Sequence, residues 1–214
     1  MTTYDDALSK YITETFAQED DALAAIRQQI PIRGLPEIMI RPEEAAFLQL
    51  LVAACGARSV VEIGTLGGYS GSWIARALPD DGKLITLEVE PKHADVAREH
   101  FELAGVADRV EIRIGDAHQV LQDLSNLGPF DFVFIDAEKE GYPDYLDWTL
   151  RNLRPGGVLA AHNAFRKGAL LDTHETDQRV VATREFIRQL AADERLFSTI
   201  FPAGDGMAIG VLRA

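Results

Sequence analysis

The stretch Leu196–Arg213, LFSTIFPAGDGMAIGVLR, contains two apolar, strand-prone runs, LFSTIFP and GMAIGVLR, separated only by AGD. A parallel crossover needs a dozen or more residues, so this connection can only close an antiparallel hairpin. Upstream, five short apolar runs follow one another: SVVEIG, KLITLEVE, RVEIRIG, FDFVFIDA and GGVLAAHN. Helix-like segments lie between them, among them PKHADVAREHFELAG and YPDYLDWTLRNLRPGG, and RVVATREFIRQLAA precedes the hairpin. Strands alternating with helices imply a parallel sheet covered on both faces.

The predicted architecture is α/β: a Rossmann-like, seven-stranded, mostly parallel sheet with helices on both faces and a C-terminal antiparallel hairpin. Tyr4 to Gln29 reads as one or two amphipathic helices with acidic starts, in which the acids of QEDDA cap and solvate a helix. PIRGLPEI then breaks the pattern with two prolines and a glycine. Helix resumes at RPEEAAFLQLLVAA, with Pro42 in the first turn and Glu43 and Glu44 favourable against the helix dipole. No repeat, low-complexity tract or linker divides the chain. Residues 1–214 are expected to form a single domain, with 1–40 as an N-terminal helical lid or dimer contact and 41–214 as the core.

The 214 residues suit one domain, and 47% hydrophobic with 26% charged content is that of an ordinary folded protein. A net charge of -13, with no basic run, opposes a phosphate backbone, so nucleic acid is not an expected partner. The single cysteine, Cys55, lies in an apolar segment and reads as core, which leaves no disulfide framework. No apolar stretch reaches the ~18 residues of a membrane span, and MTTYDDALSK lacks a signal-peptide pattern. A cytoplasmic setting without membrane contact is expected.

Ligands of doubly wound sheets bind beyond the carboxyl ends of the strands. Those ends here carry Glu62 followed by GTLGGYS, then Glu88, then GDA, then Asp136, then His162 and Asn163. The loop Gly64-Thr-Leu-Gly67-Gly68 departs from the dinucleotide pattern G-x-G-x-x-G, since Leu66 stands where its second glycine belongs. A tight turn accounts for one glycine more readily than for three, so close approach of a ligand to the backbone is expected. Glu88 lies 24 positions beyond Gly64, near the spacing of an acid that accepts from ribose hydroxyls. Glu62 places negative charge where a dinucleotide would carry phosphate. A nucleoside with an ammonium, a positive charge and no phosphate describes S-adenosylmethionine.

These features resemble a class I methyltransferase, and more narrowly the cation-dependent O-methyltransferases that include the caffeoyl-coenzyme A and catechol enzymes. The resemblance extends from about Leu35 through VVEIGTLGGYS, ITLEVEPKHADVAREHFELAGVADRVEIRIGDA, FDFVFIDAEKEGYPDY, LRPGGVLAAHNAF and GDGMAIGVLR. It implies that Glu62, Gly64, Thr65, Gly68 and Ser70 hold the methionine part and its loop, Glu88 the ribose, and Ala117 the adenine surroundings. Ile40 in EIMIRPEE would close over the methionine end. Asp136 would bind metal beside the sulfonium, and Lys139 matches the proton-accepting lysine. The resemblance also implies a homodimer.

At the fifth strand end the family pattern is Asp-Asn, both oxygen ligands of a divalent ion, and here His162 precedes Asn163. Three readings follow. Asp136, His162 and Asn163 bind a divalent ion, shifted from magnesium toward manganese, cobalt or zinc because imidazole replaces an oxygen ligand. Alternatively, no catalytic metal is used and His162 is the general base, as an unperturbed pKa of ~6.5 allows. In the third, the domain binds cofactor without chemistry. The expected reaction is methyl transfer to a hydroxyl of a small aromatic acceptor, an ortho-diphenol or phenolic ester, with the metal lowering the hydroxyl pKa and Lys139 taking the proton. A nicotinamide oxidoreductase would need the pyrophosphate loop that Leu66 interrupts.

Trp73 and Trp148 read as core on amphipathic helices. His93, His100 and His174 stand in polar surroundings and are expected at the surface, and His118, after GDA, is a possible cofactor neighbour. The acceptor pocket would be shaped by Arg166 to Gln178 and the N-terminal segment, neither of which carries a readable code.

Overall fold

The computed structural model describes residues 4–214, so the first three residues of the N-terminal segment lie outside the described residues. Two helices open the chain, α1 (Asp6–Phe16) and α2 (Asp21–Ile32), capped by the side chains of Asp5 and Asp20. Where PIRGLPEI was expected to break the helix, α2 continues through Pro31. The proline falls in the last turn, where its fixed φ suits the helix and little of the ladder remains to be lost. α3 (Pro42–Ala54) follows, and beyond it the alternation starts: β1 (Ser59–Ile63), α4 (Tyr69–Ala77), β2 (Lys83–Glu88), α5 (Pro91–Leu103), β3 (Val110–Ile114) and α6 (Ala117–Leu124). The second half comprises β4 (Phe130–Ile135), α7 (Tyr142–Asn152), β5 (Leu153–His162), α8 (Gln178–Ala192), β6 (Leu196–Phe201) and β7 (Met207–Leu212).

The sheet order is β3-β2-β1-β4-β5-β7-β6. β7 pairs antiparallel with β5 and with β6, so the hairpin is inserted with its second strand inward. The remaining pairs are parallel, and the order reverses between β1 and β4. Alternate side chains divide between two cores. Val60, Leu84, Phe132, Phe134 and Ala160 face α2 to α5. Val61, Ile85, Val133, Ile135 and Leu159 face α6, α7 and α8. Strands apolar on both faces bury both sides at once, which is why they read as continuous apolar runs. Trp73 and Trp148 belong to these two cores, one on each face. Cys55 is half-buried at the C-terminus of α3, packed against the first core, and burial raises its thiol pKa.

Glu43 and Glu44 depart from expectation. As dipole partners in a first turn they would be solvated, yet both are buried, Glu44 with 1% of its surface exposed. Glu43 accepts hydrogen bonds from the Tyr4 hydroxyl (3.1 Å), the Thr13 hydroxyl (2.9 Å) and Ser9, which ties α1 onto α3. Its carboxyl is held low: burial opposes ionisation, but the hydroxyl donors outweigh it. His100 is also buried rather than exposed, because it lies on the inner side of α5, with Nδ1 2.7 Å from the Gly67 carbonyl. Burial lowers its pKa, consistent with a neutral ring that holds the glycine turn.

Candidate active site

The carboxyl ends of β1, β2, β3, β4 and β5 open into one cavity of about 1130 Å³. Gly64 begins it. Its φ is +102°, and a Cβ there would overlap the backbone carbonyl of Asp136, so only glycine lets β1 and β4 end this close together. All three glycines of the turn have packing reasons, and Gly64 and Gly67 also line the cavity. A side chain at Gly67 would strike Ile30 of α2, and one at Gly68 would press on Phe101 of α5.

Ile40, Gly64, Thr65, Ser70, Glu88, Ala117 and Asp136 line the cavity, together with Val89, His93 and Asp116. Glu88 accepts from the Leu66 N–H (2.7 Å) with one oxygen and the Glu90 N–H (2.9 Å) with the other. Its carboxylate is thus fixed at the tip of β2 with lone pairs to spare for two hydroxyls. Two expected cofactor residues stand elsewhere. Gly68 caps α4 behind the turn, and Glu62 lies fully buried beneath it, where it accepts from Ser70 Oγ and Thr86 Oγ1, both at 2.6 Å. Glu62 has the parity of Val60, so it points into the helix-covered core instead of past the strand end. Burial pushes its carboxyl up to about 7 against those hydrogen bonds, with Asp136 and Glu88 adding to the rise.

At the other end the strand tips carry charge. Lys139 Nζ donates to Asp136 Oδ1 (2.9 Å) and to the Tyr142 hydroxyl (2.6 Å). That hydroxyl lies 3.1 Å from the Ile135 carbonyl and 3.0 Å from the His162 carbonyl, bracing Lys139 against the ends of β4 and β5. Burial disfavours the Lys139 ammonium, but Asp136 and Tyr142 more than offset this and raise its pKa. Asp136, although buried, is held well below the usual carboxylate range by Lys139 and His162. Asp136 and Tyr142 therefore favour the ammonium form of Lys139.

His162, 5% exposed, has its Nδ1 3.2 Å from Asp136 Oδ2 and its Nε2 3.0 Å from Glu44 Oε1. Burial lowers its pKa, but the two carboxylates outweigh it and push it up to about 10. Asn163, at φ +58°, turns its amide to Asp205 Oδ2 (3.2 Å) in the hairpin turn. The three expected metal ligands therefore converge in sequence but not in chemistry. Both nitrogens of His162 face carboxylates, both oxygens of Asp136 are held by Lys139 and His162, and Asn163 presents its amide nitrogen to the hairpin. Among the described residues, no group of three or more His, Cys, Asp or Glu forms a metal-binding cluster. This arrangement does not fit a divalent ion.

Arg166, Lys167 and Arg179 complete the outer wall. Arg166, at φ +49°, has a buried Nε with no partner. His174 is exposed, as expected. His118 stacks on Tyr145 at 4.9 Å between ring centres and is not part of the wall. Sequence reasoning missed Glu44, Tyr142 and Asp205 as site residues. Only Glu44 had a local signal, an acid in the first turn of a helix, and that signal pointed to a dipole.

A mostly parallel sheet with an inserted antiparallel β7, and an acid at the β2 tip beside a glycine turn, define the class of Rossmann-like methyltransferases. Residues 13–213 match the family model described as O-methyltransferase, and the chain belongs to that family. It is 41% identical over 215 residues to the catechol O-methyltransferase of Niastella koreensis, covering 97% of each chain. It is 40% identical to that of Mycobacterium tuberculosis, covering 95% of this chain and 94% of that one. Among solved structures, an O-methyltransferase from Bacillus cereus in complex with SAH superposes with a TM-score of 0.92 at 40% identity, covering 97% of both chains. The protein is an S-adenosylmethionine-dependent O-methyltransferase by family. No helix is long and apolar enough to cross a membrane among the described residues.

Proposed function

We propose that this protein transfers the methyl group of S-adenosylmethionine to a hydroxyl oxygen of a small aromatic acceptor of the catechol type. One observation carries the reading: a single cavity runs from Glu88 and the Gly64–Ser70 turn to Lys139, Asn163 and Arg166, so a nucleoside donor and an aromatic acceptor can share it. The catechol O-methyltransferases among its relatives support the choice of acceptor.

In this reading Glu88 accepts from both ribose hydroxyls, Ala117 and Val89 flank the adenine, and Thr65 and Ser70 border the methionine end under Ile40. Glu62 acts at one remove, through Ser70. The sulfonium is already an activated leaving group, so the chain's task is to hold an ionised acceptor oxygen in line with the methyl carbon. The carbon–oxygen bond forms as the carbon–sulfur bond breaks. Its electron pair stays on sulfur as the thioether of S-adenosylhomocysteine, and the hydroxyl proton leaves to solvent. Lys139 supplies positive charge to the phenolate rather than a site for its proton. An ammonium fixed by Asp136 and Tyr142 before the reaction needs no reorganisation when the acceptor ionises.

Incubation with S-adenosylmethionine and catechol should give a mono-methylated product by mass spectrometry. Glu88→Ala should weaken donor binding in calorimetry by about 10- to 100-fold, the worth of two hydrogen bonds to a charged acceptor. Unchanged affinity would place the nucleoside elsewhere, and no binding by the unaltered protein would end the proposal.

A further inference from the structure

The surroundings of His162 suit a cation and leave no room for one bound to it. Asp136 and Glu44 each present an oxygen to a ring nitrogen, at 3.2 and 3.0 Å. An imidazole can donate to both only when both nitrogens carry protons, and it then has no lone pair for a metal. Glu44 is not free to withdraw. Its other oxygen accepts from the Arg41 N–H (2.9 Å) at the start of α3, and its carboxylate lies against Gly204 of the hairpin turn, where a side chain would overlap it. Asp136 is held on its other oxygen by Lys139.

The charges balance in the same way. Replacing an aspartate by an imidazolium adds two positive charges to the strand end, which is the charge a divalent ion would have carried. Asp136, Glu44, Lys139 and His162 together are neutral, whereas a divalent ion added to them would leave an uncompensated buried charge.

We propose that His162, clamped between Glu44 and Asp136, stands in for the divalent ion of the family, so that methyl transfer by this protein is metal-independent, with Glu44 as the positioning residue. This rests on the function proposed above for the reaction it serves. The His162 ring is buried behind Asp136, which it shares with Lys139, and does not itself line the cavity, so its positive charge reaches the ionised oxygen through Asp136 and the field of the strand end. It provides no chelation, so a second, adjacent hydroxyl on the acceptor gains little.

The test is a calorimetric titration of Mn²⁺, and separately of Mg²⁺, Co²⁺ and Zn²⁺, into the protein saturated with S-adenosylhomocysteine. The unaltered protein should bind none of them at the strand tips, and its turnover should change less than about two-fold after exhaustive chelation. His162→Asp, which restores an oxygen ligand and removes the built-in cation, should gain Mn²⁺ affinity by at least about ten-fold and become sensitive to chelation. S-adenosylhomocysteine binding by each variant reports that it has folded. Glu44→Gln is the second arm: kcat should fall by at least about ten-fold while donor affinity holds, a split that loss of fold would not give. The proposal is overturned if the unaltered protein binds one of the four ions stoichiometrically with His162 required, if chelation abolishes its activity, or if folded Glu44→Gln keeps full kcat. The titrations read metal binding alone. A protein that binds the donor but methylates no aromatic acceptor would refute the proposed function and leave the metal result standing.

Discussion

The two ends of the cavity are built differently. At the tips of β1, β2 and β3 the wall is backbone and near neighbours: the Gly64–Ser70 turn, Glu88 held by the Leu66 and Glu90 amides, and Ala117 at the start of α6. At the tips of β4 and β5 the wall is charged and polar side chains, Asp136, Lys139, Asn163, Arg166 and Asp205, held from behind by contacts with distant parts of the chain. His162 meets Glu44 across 118 positions, and Asn163 meets Asp205 across 42. A backbone-built site tolerates little change in chain geometry, and here Glu88 brings a charge to it. A site of converging charges tolerates changes of shape but not of sign. The first end is suited to holding a donor common to the whole family, the second to setting how the acceptor is ionised.

Substitutions on each side test that contrast. The largest effect is expected at Gly64→Ala, because the new Cβ would overlap the Asp136 carbonyl at a φ of +102°. It should cost about 3 kcal/mol or more of stability by denaturant unfolding and abolish measurable donor binding. Retained binding would mean that the backbone end is less rigid than described. At the charged end, Lys139→Met should lower kcat by about 100- to 1,000-fold, the usual cost of losing a preorganised charge, while donor affinity in calorimetry stays within a few fold. A parallel loss of donor affinity would erase the distinction between the two ends.

Glu62 lies fully buried beneath the glycine turn. Burial lifts its carboxyl from 4.5 to about 7, so between those values the folded chain keeps a proton that the unfolded chain has released. This contribution to stability is complete below pH 4.5 and is lost as pH rises through 7. Glu62→Gln should remove the slope, reducing the fall in unfolding free energy between pH 5 and pH 8 by up to about 3 kcal/mol. Identical pH profiles would mean that Glu62 is ionised in the folded protein. The smallest change is expected for Asp205→Asn, which weakens the half-buried contact to Asn163. Acceptor KM should rise by about two- to five-fold with kcat and donor affinity unchanged, in line with a single hydrogen bond of about 1 kcal/mol or less.

The same division explains what could be read without coordinates. The strands were legible because β1, β4 and β5 are apolar on both faces, and the hairpin because AGD is too short to cross over. Glu88 was legible because a strand end places its last residue at the crevice, and Ala117, which the resemblance implied, opens α6 on the same cavity. Glu62 was assigned to the right strand, but its side chain is fully buried against α4, one residue short of the strand end, where Ser70 donates to it. His100 was misjudged because polar flanks say little about which side of a helix packs inward.

The residue order alone carried the seven-stranded α/β plan, through periodicity and connection length, the family, through the resemblance of its motifs, and the placing of Asp136, His162 and Asn163 at neighbouring strand ends. Only the tertiary structure decided what those three residues are. A carboxylate at the start of α3 and another in the hairpin turn reach them through space, and electrostatic energy depends on that distance and on burial, neither of which is written in the order of residues along the chain. By residue type His162 is a ligand or a base; Glu44 and Asp136, one at each ring nitrogen, favour its protonated form.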